Sequence, residues 1–141
     1  MLNASLSSEF KRSRIQVAAA VVAVVFGLAT IASGASVLFG PEQTQRAAGH
    51  IVKFVLWFNF LTGFVYVAAG VGLWRARHWG LWLSAGLTLA LAIVFALFME
   101  HVAAGGLFEM RTLYALVLRF TVWCLITLAA YRVAHRRNDA C

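Results

Sequence analysis

Acidic residues are scarce in this chain: five among 141, against twelve lysines and arginines, with 12% of residues charged in all. A sequence that poor in charge and 62% hydrophobic lacks the polar surface that keeps a soluble domain dissolved. Cysteine is nearly absent too. Cys124 lies deep in an apolar run and Cys141 is the last residue, so neither a disulfide framework nor a Cys-x-x-Cys thiol centre is expected. No His-x-x-x-His or Glu-x-x-His spacing occurs, and the four histidines, His50, His78, His101 and His135, sit at run ends or in links. Ligands for haem or metal in helical bundles project from within the helices, so no cofactor and no metal is expected here. The net charge of +7 does not imply nucleic acid, because the basic residues form short clusters with no recognition element beside them.

What the chain does have is long apolar runs bounded by charge. A polar start ends in Lys11, Arg12 and Arg14, and apolar sequence then extends from Ile15 to Phe39. A basic start before an apolar run resembles a secretory signal. This run, however, is about twice the length of a signal's apolar segment, so a retained helix is expected. Gly40-Pro41 stops it, since proline cannot continue a helix. A second run covers Ile51 to Trp74, a third Trp79 to about His101, and a fourth Thr112 to Val133. Ala103-Ala104-Gly105-Gly106 breaks the pattern between the last two. Each run has at least about 20 residues, enough at 1.5 Å per residue to cross a hydrocarbon core of roughly 30 Å. The expected fold is all-α: a single polytopic membrane domain over 1–141, with helices at about 15–39, 51–74, 79–101 and 112–133. Short links force neighbours to alternate in direction, giving an antiparallel four-helix bundle.

Lysine and arginine set the orientation. One side of the expected bundle holds eight, namely Lys11, Arg12, Arg14, Arg75, Arg77, Arg132, Arg136 and Arg137, and the other holds three, Arg46, Lys53 and Arg111. Excess basic charge stays on the cytoplasmic side, so both termini are expected inside. Trp57, Trp74, Trp79 and Tyr131 fall near run ends, where amphipathic rings favour the head-group layer.

Membrane helices associate through small residues and a few interhelical hydrogen bonds. Run 1 carries Ala23, Gly27, Thr30 and Gly34 at spacing i, i+4, i+7, i+11, and run 2 repeats it with Asn59, Gly63, Tyr66 and Gly70. Residues so spaced share a face, and these stripes are the expected inward faces. Arg119 lies about three positions from the middle of run 4, too deep to snorkel easily, where a cation costs at least about 2.5 kcal/mol. Counting along the helices puts Asn59 and Thr30 at its level, roughly 5 Å to the outer side of the midplane. A buried polar cluster of Arg119, Asn59 and Thr30 is expected, with Tyr66 about two turns deeper. No acid lies at that level, and Glu100 is about 10 Å higher. The missing anion is therefore supplied by a longer reach within the chain, a lipid, a ligand or another subunit. A second polar cluster is expected at the outer boundary, from His50, Lys53, Glu100, His101, Glu109 and Arg111. Its opposite charges either pair and fix the loops or line a mouth where histidine handles protons.

The length, the four helices and the glycine-studded first run resemble DoxX-like small bacterial membrane proteins. The stretches Phe54-Val55-Leu56-Trp57-Phe58-Asn59-Phe60 and Glu109-Met110-Arg111-Thr112 look like those of small four-helix bacterial inner-membrane proteins without an assigned activity. That resemblance implies an accessory partner of redox systems. Small multidrug exporters fit less well, because run 1 lacks their membrane-buried glutamate. With no catalytic constellation, the first expectation is a non-enzymatic accessory or assembly subunit, whose partners are membrane lipids, other membrane subunits or a second copy of the chain. The alternative is a small-molecule or lipid binder or transporter using Arg119 and Asn59.

Overall fold

The computed structural model describes residues 14–138; Lys11, Arg12, Asp139, Cys141 and the side chain of Arg137 lie outside what it describes. The described chain folds as α1 (Arg14–Phe39), α2 (Glu42–Ala47), α3 (Lys53–Trp74), α4 (His78–Ala103) and α5 (Met110–Asn138). The four long helices, all but α2, are each long and apolar enough to cross a membrane. They extend the sequence expectation by one to five residues at several ends. The polar link after Pro41 is not plain loop, because Glu42–Ala47 closes one further helical turn, with Arg46 Nη2 2.9 Å from Glu42 Oε2.

Helix ends follow local chemistry. Gly105 takes φ +81°, and Gly105 N and Gly106 N donate to the carbonyls of Val102 and His101, both at 3.0 Å. This pair of bonds satisfies the orphan carbonyls at the close of α4. The close of α3 repeats the arrangement with Ala76 N to Leu73 O and Arg77 N to Gly72 O, but an alanine occupies the left-handed position, at φ +54°.

The tightest seam joins α1 to α3. Gln16 Nε2 donates to Leu73 O at 2.7 Å, Gly27 abuts Gly63, and Gly34 abuts Phe60, so residue numbers rise along one helix as they fall along the other. A Cβ on Gly27 would lie 2.9 Å from the Gly63 carbonyl oxygen, and one on Gly63 would lie 2.7 Å from Ile31 Cγ1. Only glycine permits that approach, and close approach replaces the hydrophobic effect as the source of association in lipid. Both small-residue stripes, Ala23-Gly27-Thr30-Gly34 and Asn59-Gly63-Tyr66-Gly70, are buried along this seam.

Helix α3 also packs on α4, α4 on α5, and α5 back on α1, the thinnest seam of the ring. Two apolar clusters fill the interior. One, towards the Arg75–Arg77 link, draws on all four long helices and holds Ala20, Ala23, Tyr66, Leu73, Leu91 and Trp123. The other, towards α2, holds Val52, Val55, Val94, Phe98 and Leu116 and draws on α3, α4 and α5 alone. Helix α1 offers Thr30, Ser33, Gly34 and Ser36 at that end, and these leave space that apolar side chains elsewhere fill.

Candidate functional site

That space is a cavity of about 380 Å³ between α1, α3 and α5, with α2 at its end. Thr30, Asn59 and Arg119, the residues expected at one depth, all line it. Each is placed by its helix: Thr30 and Asn59 belong to the small-residue stripes that pack α1 on α3, and Arg119 faces them from α5. Val37, Ile51, Val52, Val55 and Leu56 supply apolar wall. Arg111, two turns before Arg119 on α5, lines the cavity as well and is solvent-exposed. Ser33 and Ser36 are exposed too, so the cavity reaches the surface along the α1–α5 seam.

The hydrogen-bonding state of the lining is unequal. Ser33 Oγ donates to Thr30 O at 3.1 Å and Ser36 Oγ to Ser33 O at 2.8 Å, so both donors are spent within α1. Asn59 is 9% exposed, and its Oδ1 is buried without a hydrogen-bond partner. The Nε of Arg119 is buried without one as well. Unmade hydrogen bonds on buried polar atoms cost about 1–3 kcal/mol each, and more for a charged group. Two residues that line one cavity, Asn59 and Arg119, thus each carry a buried polar atom with no hydrogen-bond partner.

Among the described residues, no carboxylate lines this cavity. The three acidic residues among the described residues are Glu42, Glu100 and Glu109. Glu42 pairs with Arg46, and Glu109 Oε1 accepts the His50 backbone N–H at 3.0 Å. Glu100 is exposed on α4, which contributes nothing to the lining. Two guanidinium groups thus face one cavity without an acid from the described chain.

Tyr66 remains within electrostatic range of Arg119 but does not line the cavity. It lies in the apolar core, stacked with Phe26 at 6.2 Å and tilted against Trp123 at 4.8 Å, and is not part of the cavity wall. Among the described residues, its hydroxyl and the Trp123 Nε1 are the other two buried side-chain polar atoms without a hydrogen-bond partner. The six residues of the expected boundary cluster divide in the same way. Arg111 joins the cavity, and Glu109 holds the His50 backbone, while His101 Nε2 lies 3.3 Å from Leu107 O and its ring stands edge-on to Phe54. Lys53 and Glu100 are exposed, and among the described residues the one ion pair is Arg46–Glu42. Arg111 escaped grouping with Arg119 in the sequence because depth counting assigned it to the boundary. Their spacing of eight residues, close to two helical turns, was the signal available.

Comparison with protein-family models, with curated proteins and with solved structures finds no match for this chain.

Proposed function

We propose that this chain is an integral membrane protein that binds, or binds and transports, an anionic small molecule or lipid in the Arg119–Asn59 cavity. The observation that carries this reading is a cavity faced by two arginines and, among the described residues, by no carboxylate. A guanidinium held inside a membrane span is tolerable with a counter-ion and costly without one. The described carboxylates are engaged elsewhere or lie off the cavity, so the counter-ion comes from outside the described chain. The proposed setting is an antiparallel four-helix bundle in a bacterial inner membrane with both termini cytoplasmic, supported by the distribution of lysine and arginine. In that orientation the cavity opens in the outer half of the bilayer.

The test is isolation from native membranes in a mild detergent, followed by mass spectrometry of everything that stays bound. The expected result is an anion or anionic lipid retained at about one per chain and missing from the Arg119→Leu protein. Identical bound content in the two proteins removes the reading.

A second reading rests on a different surface. Trp82, Leu128 and Tyr131 line an apolar groove of about 470 Å³ between α4 and α5, and Trp82 is 76% exposed. A groove of this kind suits an apolar helix of another subunit, as an accessory or assembly protein requires, in line with the DoxX-like resemblance. Stoichiometric protein partners in the same isolation support it, and a lone particle counts against it.

A further inference from the structure

The two buried, unsatisfied atoms of the lining residues Arg119 and Asn59 make opposite demands. Arg119 Nε–H needs an acceptor, and Asn59 Oδ1 needs a donor. A fully ionised inorganic anion answers the first and not the second. It also leaves much of a cavity of about 380 Å³ unfilled, a volume equal to that of roughly a dozen waters. The hydroxyls of Ser33 and Ser36 do not resolve the mismatch, because their protons are already given to α1 carbonyls. Resting on the reading of the cavity as an anion site, we infer that its ligand is an oxyanion that also carries a free hydroxyl, of the glycerol-phosphate type. The oxyanion accepts from the Arg119 guanidinium, and the ligand hydroxyl donates to the Asn59 amide oxygen. Arg111, exposed at the same cavity, attracts the charge on approach. The remainder of the ligand lies along Val55 and Leu56 or leaves through the α1–α5 seam.

A glycerol phosphate reaches this site either as a lipid head group or as a soluble molecule, and the test separates the two sources. The full chain is purified, stripped of lipid and offered four probes. Two are nanodiscs of phosphatidylcholine doped with phosphatidylglycerol or with phosphatidylmethanol, which has the same charge and no head-group hydroxyl. The other two are soluble, glycerol 3-phosphate and methyl phosphate. Retention by native mass spectrometry and the shift in melting temperature are read for each. The inference expects the hydroxyl-bearing member of one pair to bind about tenfold tighter than its partner, as one buried hydrogen bond requires. Discrimination in the lipid pair assigns a lipid source, and discrimination in the soluble pair assigns an aqueous one. Equal binding within both pairs overturns the hydroxyl requirement and leaves the anion site standing. No binding of any probe removes both the inference and the function it rests on. Asn59→Leu should erase the discrimination while Arg119→Gln erases binding altogether. If either variant fails to fold, the wild-type comparison still decides.

Discussion

The half of the bundle towards the Arg75–Arg77 link and the half towards α2 are built from the same four helices, yet the centre of one is closed by large side chains, its gaps lying at the rim between α4 and α5 and beside Gln16, while the other stays open between α1, α3 and α5. Near the link, small residues on α1 and α3 face large ones on α5. Trp123 is wholly buried there, and Tyr66 lies against it. Gln16 also ties α1 to the end of α3. Towards α2, small residues meet small residues: Thr30 and Gly34 on α1, Asn59 on α3, Thr112 and Ala115 on α5. The larger wall residues there, Val37, Val55 and Leu56, do not fill the gap, and Arg119 lines it. Interior volume in a membrane bundle is thus decided by what stands opposite a small residue, and not by the small residue alone.

The largest expected effect breaks the closed half. Trp123→Ala removes its biggest fully buried side chain and should cost about 3–5 kcal/mol, read as a fall in melting temperature in detergent. A small effect would mean that the closed half is not where stability resides. Next comes Arg119→Leu in the open half, where the sign reverses. In ligand-free protein, removing a half-buried cation that has no carboxylate partner among the described residues should raise stability by about 2.5 kcal/mol, measured by reversible unfolding in bicelles. A comparable loss would make Arg119 a structural member of the wall.

A matched pair sharpens the contrast. Ala69 is wholly buried in the closed half and Ala115 lines the cavity. Ala69→Leu should cost about 1–3 kcal/mol through overpacking. Ala115→Leu should change stability by less than about 1 kcal/mol while displacing the bound anion, because it fills space already empty. Equal costs at the two sites would abolish the distinction between the halves. The smallest effect is expected from Thr88→Val. Thr88 Oγ1 bridges α4 to α5, 2.9 Å from Thr127 Oγ1 and 3.2 Å from Trp123 O. Interhelical hydrogen bonds in membranes average about 0.6 kcal/mol, and a loss of that order is expected in the same bicelle assay.

Several parts of this structure are legible in the residues. The break at Gly40-Pro41 and the glycine close of α4 appear where the sequence places them, because both depend on local backbone chemistry. The two small-residue stripes are buried as their spacing predicts, since helical periodicity alone decides which side chains share a face. The short α2 is not legible, because one helical turn leaves no periodic trace. Tyr66 shows the limit of depth counting. Its level on α3 follows from its position, but that its ring packs on Phe26 and Trp123 and stays out of the cavity wall depends on how the helices are rotated about their own axes, which no count along the chain supplies.

By itself the sequence determined the four apolar helices, their approximate ends, the faces that carry small residues, and the presence of a cation, Arg119, well inside the last apolar helix. These follow from composition, period and the 1.5 Å rise of the helix. Only the tertiary structure decided that Thr30, Asn59, Arg111 and Arg119 share one cavity, that Tyr66 and Trp123 close the opposite half, and that Glu42, Glu100 and Glu109 all stand away from Arg119. Those facts depend on helix rotation and on packing between segments distant in sequence, where the shape of one surface is fixed by the shape of another.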